Sequence, residues 1–502
     1  MILDVAQRRA DLTPDRPALW WDGRWLDYAE LNRRAAHAAA YLVSRGITKG
    51  DRVAILAHNH VAHIDLILAT AKLGFVYAPL NVRLSAKEQA AIGTYLKPTL
   101  VLHDEDHREA AEFAANAAAA PMLNVDDYET ALESPVAAST VLDPDLGPDD
   151  VQMILLTGGT TGVPKGAMLP YRQGFYNAVN TVLSWGLRDD DVVIQATPCY
   201  HAAVNALTVP LLHLGARVVL QHAFDAREYL ELVQQQGVTA LFLVPTMYRM
   251  LAEHPDFQRA DLSGVRWAIS GGAPCPEPVR ATFAARGVRF RQGYGLTEAG
   301  VNCFAITLDQ AERKPASVGK PMLHAAAAVR RADASLCDVG EVGELTLKGP
   351  HVFLGYFDRP DATDEALRGD WLWTGDLATV DEEGFFTIVG RRKEMFISGG
   401  ENVFPIEIET ALYDHPAVAE CAVLGVPDER WGEVGLAVVV LRPDASIDQN
   451  ALVAFLRERV ARYKVPKHLI LTTDLPKSGA GKILKSVLLE RFLAQDRAEG
   501  SG

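Results

Sequence analysis

The stretch LLTGGTTGVPKGA at 155–167 carries four glycines, three threonines and one lysine, with no acidic residue among them. With the preceding VQM it reads as a strand, VQMILLT at 151–157, running straight into a glycine-rich turn. Glycine tolerates positive φ and lets backbone N–H groups come close to an anion; the hydroxyls of Thr157, Thr160 and Thr161 add donors and Lys165 adds a charge. A loop so poor in side chains at the end of a strand suits phosphate. It is not a Walker A loop, which needs G-x-x-x-x-G-K followed by Ser or Thr.

Outward from that turn, strand-like and helix-like segments alternate. DAREYLELVQQQG at 225–237 has apolar positions at helical spacing, and VTALFLVP at 238–245 and VRWAISGG at 265–272 are short apolar runs. Such alternation predicts α/β layers with largely parallel sheets. The alanine-rich EAAEFAANAAAA at 109–120 reads as a peripheral helix, and SPVAASTVLDPDLGPDD at 134–150 as a surface connection. GFFTIVGRRKEMFISGGENVFP at 384–405 sets a glycine turn, a basic triplet and a Gly-Gly pair between apolar runs, and a domain joint is expected there. No fixed-period repeat is present.

A chain of 502 residues exceeds what one hydrophobic core normally supports, so at least two domains are expected. The longest apolar runs, such as VGLAVVVL at 434–441, have the length of buried strands and not of a membrane span. No signal peptide is legible at the N-terminus. The five cysteines, Cys199, Cys275, Cys303, Cys337 and Cys421, form no C-x-x-C pair, which fits reduced thiols in a cytoplasm. The formal charge is −15, and before Arg391 there are 34 Lys and Arg against 48 Asp and Glu. That excess argues against nucleic acid as a partner and requires any anionic small molecule to bind at a locally positive site.

Seven short motifs then follow in one order: TGGTTGVPKGA, PCYHAAVNAL at 198–207, SGGAPCP at 270–276, QGYGLTEAG at 292–300, WLWTGDLA at 371–378, GRRKEMFISGGENVFPIEIE at 390–409 and PKSGAGKILK at 476–485. Together they resemble the adenylate-forming superfamily, which includes acyl-CoA synthetases, with Gly158 in place of the usual serine. The resemblance implies a large N-terminal domain of layered α/β sheets with a small β-barrel-like subdomain over 1–390, a hinge at 391–393 and a small mobile α+β domain over 394–502. It implies a fatty- or aryl-acid–CoA ligase that uses ATP, Mg²⁺ and coenzyme A; the alternative is a stand-alone enzyme that loads a carrier protein.

The chemistry explains the parts. A free carboxylate is a poor acyl donor, and joining it to AMP makes a mixed anhydride open to attack by a thiol. Two anions must meet in the first step, so fixed cations and Mg²⁺ are needed where charge builds. On the resemblance, Lys482 bridges carboxylate and α-phosphate. Gly158, Gly159, Thr160, Thr161 and Gly162 with Lys165 hold phosphates, and Glu298 with the Thr157 hydroxyl holds Mg²⁺. Tyr294 stacks on adenine opposite Gly272, Ala273 and Pro274, within the nucleotide loop Gly293, Gly295, Leu296 and Thr297. Asp376 and Arg391 reach the ribose. Lys393 is the hinge, and Gly399, Gly400 and Trp431 border the pantetheine tunnel.

The acid itself is expected to meet His201, Ala202, Ala203 and Val204, with Gly271 and Gly300 making room at the floor. No carboxylate stands in YHAAVNAL, which disfavours an α-amino acid, because a buried ammonium without a partner is costly. Plant-type hydroxycinnamate ligases often have a polar aromatic where Ala203 falls, and its absence weighs against a phenolic acid without excluding one. The expected partners are the acid, ATP and CoA, with a homodimer left open and no transmembrane segment. Neither H-E-x-x-H nor G-x-S-x-G is present, so metallo- and serine-hydrolase readings find no support.

Overall fold

The computed structural model of the protein describes residues 4–133, 145–157, 164–443, 445–477 and 483–499. The chain divides into two compact units. Unit 1 comprises Met1–Pro274, Ala284–Ala327 and Leu347–Trp373, and unit 2 comprises Cys275–Phe283, Ala328–Thr346 and Thr374–Gly502.

Unit 1 is layered α/β, as the alternation predicts. Its largest sheet has six strands in the order Met122–Asn124, Leu100–His103, Arg52–Leu56, Val76–Pro79, Val151–Thr157 and Lys165–Pro170. The pairs are parallel except for the last, a hairpin whose register sets Thr157 opposite Lys165. Val53, Ala54, Ile55 and Leu56 are fully buried, as the inner strand of a sheet covered on both faces demands. A four-stranded sheet (Arg24–Asp27, Pro17–Trp21, Arg217–Leu220, Val192–Gln195) and an all-parallel three-stranded one (Ala240–Leu243, Trp267–Ser270, Phe290–Gln292) complete the layers.

Helix boundaries follow local chemistry. The Asp225 carboxylate accepts from the Glu228 N–H and starts helix Ala226–Gln235, and Ser85 and Glu88 form a reciprocal capping box at the start of Ala86–Leu96. The alanine-rich run forms helix Arg108–Ala118, with Ala111, Ala114 and Ala115 buried on one face. That face meets helix Ala86–Leu96 so closely that a Cβ placed on Gly93 would stand 2.1 Å from the Ala114 carbonyl oxygen. Small residues are what permit this approach.

Strands Ala326–Arg330, Gly343–Lys348, Leu367–Arg368, Trp371–Val380 and Phe386–Arg391 form the half-barrel sheet. Within unit 2, a further sheet runs in the order Glu401–Val403, Phe396–Ser398, Gly432–Leu441, Val418–Asp428, with His468–Thr472 parallel to Gly432–Leu441. Helices Pro405–Tyr413 and Gln449–Arg457 contribute Ile408, Leu412, Leu452 and Leu456 to its core, against Val423, Ala437 and Val439. Among the described residues no helix is long and apolar enough to cross a membrane.

Candidate active site

In unit 1 two glycine-containing turns leave adjacent parallel strands at their carboxyl ends. Strands Trp267–Ser270 and Phe290–Gln292 pair in parallel with Ser270 opposite Gln292, so Gly271–Pro274 and Gly293–Thr297 emerge side by side. Ligands in open α/β sheets bind outside such strand ends. The Gly293 N–H donates to the Ser270 carbonyl at 2.8 Å, joining the two turns. Gly272, Ala273 and Pro274 are exposed, and Tyr294 is half-buried against Phe304, with centroids 5.7 Å apart.

The loop after Tyr294 is tightly folded. A Cβ on Gly295 would stand 1.8 Å from the Val301 carbonyl oxygen, so only glycine fits there. Val301 itself has φ +78°, a left-handed conformation that a β-branched side chain adopts only under strain. Its N–H donates to the Leu296 carbonyl at 3.1 Å, and the Gln173 amide donates to the Thr297 carbonyl at 3.1 Å. Backbone strain of this kind concentrates at functional loops, and here it encloses Glu298.

Glu298 is buried, and its Oε1 accepts a 2.7 Å hydrogen bond from the Tyr356 hydroxyl. The Phe353 N–H donates to the Glu298 carbonyl at 2.8 Å. The Lys165 ammonium lies 4.8 Å from the centre of the Tyr356 ring. The Thr157 hydroxyl donates to the Lys165 carbonyl at 3.3 Å and keeps its lone pairs for another partner. Thus Lys165 and Glu298 meet at Tyr356, with Thr157 paired to Lys165 across the hairpin. Gly158, Gly159, Thr160, Thr161 and Gly162 lie outside the described residues, as does Lys482.

This donor set suits Mg²⁺. A buried carboxylate and a hydroxyl are hard oxygen ligands, and among the described residues no group of three or more His, Cys, Asp and Glu could hold a metal alone. Mg²⁺ bound through one or two protein oxygens draws its remaining ligands from substrate phosphates and water.

On the acid side, Ala202–Asn205 form a 3₁₀ turn, on which successive side chains point about 120° apart. Val204 is fully buried and Ala202 nearly so, whereas Ala203 is half-buried. The His201 ring lies against Tyr200 with centroids 4.7 Å apart, and its buried Nε2 has no hydrogen-bond partner among the described residues. Burial, and secondarily Arg83, pushes its pKa down to about 4, so the ring is neutral at pH 7. Gly271 faces Phe242 and Gly300 faces Asn177. The Asn177 amide donates to the Asn205 carbonyl at 2.7 Å and its Oδ1 accepts from the Asn302 N–H at 3.3 Å. The Asn302 amide donates to Thr181 Oγ1 at 2.8 Å and to the Ala206 carbonyl at 2.7 Å. This buried network ties the turn carrying His201 to the loop carrying Glu298.

In unit 2, Asp376 and Arg391 face each other across the hairpin of Trp371–Val380 and Phe386–Arg391, and Arg391 Nε lies 2.9 Å from Asp376 Oδ1. Lys393 is exposed on the turn that follows. Gly399 and Gly400, with φ of +60° and +90°, make the two-residue turn between Phe396–Ser398 and Glu401–Val403. The Gly399 N–H donates to the Trp431 carbonyl at 2.9 Å, and a Cβ on Gly399 would meet the Trp431 ring at 2.7 Å. Trp431 is 40% exposed, with Arg430 over its ring. Lys477 and Ile483 pair as a β-bridge. The Lys485 ammonium is held between Glu394 at 3.0 Å and Glu409 at 2.8 Å.

Tyr356 and Asn177 are site residues that the sequence reading missed. Tyr356 carries no local signal, since its partner Glu298 is 58 positions away. Asn177 did carry one. Gln173, Asn177, Asn180 and Thr181 are all buried and fall at helical spacing on one face of Tyr171–Trp185, a polar stripe where an apolar one is the rule.

The sequence profile of AMP-binding enzymes matches residues 6–357, and that of the AMP-binding enzyme C-terminal domain matches residues 407–482. The chain belongs to this family. It is 41% identical over 486 residues to feruloyl-CoA synthase from Amycolatopsis sp, covering 97% of this chain and 98% of that one. It is 35% identical to indoleacetate–CoA ligase from Aromatoleum aromaticum, covering 95% of each. Among solved structures it resembles o-succinylbenzoate CoA synthetase from Bacillus subtilis in complex with its acyl-adenylate, with a TM-score of 0.87, 30% identity and 97% of each chain covered. The protein is an ATP-dependent acid–thiol ligase that joins a carboxylic acid to CoA through an acyl-adenylate.

Proposed function

We propose that the acid is aromatic and carried on an apolar stem, that the enzyme acts in the cytoplasm, and that the residues named above divide the two half-reactions between them. The observation that carries the substrate reading is the wall around His201. Val204 and Ala202 are buried apolar side chains, and the ring of His201 is neutral, with a buried Nε2 that has no hydrogen-bond partner among the described residues. A neutral imidazole can exchange a hydrogen bond with the substrate but supplies no charge to anchor a second carboxylate. The feruloyl and indoleacetate relatives support the aromatic reading over a fatty one.

In the first half-reaction a carboxylate oxygen of the acid attacks the α-phosphorus of ATP and pyrophosphate leaves. Lys165 and the Thr157 hydroxyl orient the phosphates, Tyr294 and the Gly272–Pro274 turn hold adenine, and Asp376 with Arg391 holds the ribose. Lys482 offsets the meeting of two anions. Mg²⁺, when bound at Glu298 and Thr157, supplies positive charge where the leaving oxygen develops its own. In the second half-reaction the CoA thiolate attacks the acyl carbonyl and AMP leaves, with the pantetheine arm passing Gly399, Gly400 and Trp431. Lys393 is proposed as the hinge between the 1–390 and 394–502 domains.

The test is a competition of cinnamic, benzoic, indoleacetic and medium-chain fatty acids with MgATP and CoA, reading AMP release and thioester mass together. Aromatic thioesters should dominate. Predominance of fatty acyl-CoA would overturn the substrate reading, and failure of every acid to yield AMP would overturn the assignment of the site.

A further inference from the structure

The geometry points to Tyr356 as a positioning residue of the adenylation half-reaction, holding the metal carboxylate through its hydroxyl and the phosphate-loop lysine through its ring; this rests on the site assignment above. Three observations carry it. The hydroxyl donates to Glu298 Oε1 at 2.7 Å, which occupies one carboxylate oxygen and leaves the other for Mg²⁺. The Lys165 ammonium sits 4.8 Å from the ring centre, within the distance at which an aromatic quadrupole attracts a cation. The backbone of Tyr356 is itself locked in register with the strand that carries Lys165.

That register explains why one side chain reaches both partners. Residues 354–357 add to the edge of strand Lys165–Pro170: the Met168 N–H donates to the Gly355 carbonyl at 2.9 Å, the Leu354 N–H to the Met168 carbonyl at 3.0 Å and the Phe357 N–H to the Gly166 carbonyl at 2.8 Å. Tyr356 pairs antiparallel with Ala167. Directly opposed residues project to the same face, and so does the residue two positions along, which is Lys165. The Tyr356 N–H also donates to Thr363 Oγ1 at 2.8 Å, and its ring packs edge-on to Phe353 with centroids 5.0 Å apart. Phe353 in turn donates its N–H to the Glu298 carbonyl at 2.8 Å. A hydrogen bond to a charged group contributes more than a neutral one, so its loss should be measurable in metal affinity.

Tyr356→Phe keeps the ring and removes the hydroxyl, whereas Tyr356→Leu removes both. The probe is Mn²⁺ titrated calorimetrically into full-length protein with α,β-methylene-ATP, alongside titration of the same nucleotide without metal. Tyr356→Phe should weaken Mn²⁺ binding about tenfold and leave metal-free nucleotide binding unchanged; Tyr356→Leu should weaken metal-free nucleotide binding as well, about threefold. Thioester formation from a supplied acyl-adenylate should be the same in all three proteins. Equal Mn²⁺ affinity in wild type and Tyr356→Phe overturns the proposal, as does equal weakening with and without metal. In a Glu298→Gln background, the Tyr356→Phe change should cost Mn²⁺ binding nothing further, and an additive loss overturns it. Because these readouts are binding constants, they stand even if no tested acid proves to be the substrate.

Discussion

On the proposed CoA path, a single hydrogen atom at Gly399 in place of a methyl group keeps the second half-reaction open. Its φ of +60° is left-handed, and an added Cβ would lie 2.7 Å from the ring of Trp431. Gly399→Ala therefore strains the turn and pushes the exposed indole outward. The expected outcome is a fall of about tenfold or more in thioester formation from a supplied acyl-adenylate, with pyrophosphate release unaltered; stopped assays of each half-reaction separate the two, and equal loss in both would remove Gly399 from the CoA path. Glu298 behaves in the opposite sense. Glu298→Gln keeps the shape but deletes the charge, and pyrophosphate release should drop on the order of 10²–10³ while the thioester step from acyl-adenylate survives. An unchanged Mg²⁺ requirement in that variant would exclude Glu298 as a ligand.

Among elements, the pair Ala86–Leu96 and Arg108–Ala118 shows how packing outranks propensity. Alanine is the better helix former by about 1 kcal/mol, so Gly93→Ala would stabilise an isolated helix. In the folded chain the new Cβ would meet the Ala114 carbonyl oxygen at 2.1 Å. That atom belongs to backbone and cannot rotate away, so overpacking of about 1–3 kcal/mol should win, and thermal unfolding should shift to lower temperature. The same contrast marks how far the sequence could be read. VQMILLT, VTALFLVP and VRWAISGG contain strands because largely apolar runs fit a sheet buried on both faces, and the motif order pointed to Asp376 and Arg391, which one hairpin sets opposite each other, and to Gly399, whose N–H meets the Trp431 carbonyl. These are local patterns. Contacts that depend on register between distant strands left no such trace. The Tyr356–Glu298 hydrogen bond needs residues 354–357 to join the edge beside Lys165, and no periodicity announces that. The strained Val301 turn was equally silent, since valine is the residue least expected at φ +78°.

Across the whole molecule, buried histidines that must stay neutral work against stability as the pH falls. Burial pushes His60, His63 and His351 down to about 4, with Arg34, His60 and Arg172 respectively adding to the effect. His63 is arranged to suit the neutral state: one ring nitrogen can donate to the His58 carbonyl at 3.1 Å while the other accepts from the Tyr77 hydroxyl at 2.6 Å. A histidine with a folded pKa below its unfolded value of about 6.5 contributes fully above that pH. The contribution is lost as pH falls toward 4, by about 1.4 kcal/mol per pH unit for each such group. Carboxylates held low, such as Asp51 and Asp150, lose their contributions only further down, below their unfolded values near 3.8. Asp65, which burial pushes up to about 6 against the pull of Arg34, works in the opposite sense over the histidine window, so the several histidines must outweigh one carboxyl there. Denaturant midpoints should fall steeply between pH 6.5 and 4.5, and a flat profile there would contradict the buried-histidine account. His351 offers the sharper test, because among the described residues its ring makes no well-formed hydrogen bond and only a weak approach to the His324 backbone. An apolar replacement of similar size removes both the titration and two poorly satisfied polar atoms. His351→Leu should therefore leave stability at pH 7 equal or higher and make the slope between pH 6.5 and 4.5 shallower by about 1.4 kcal/mol per pH unit.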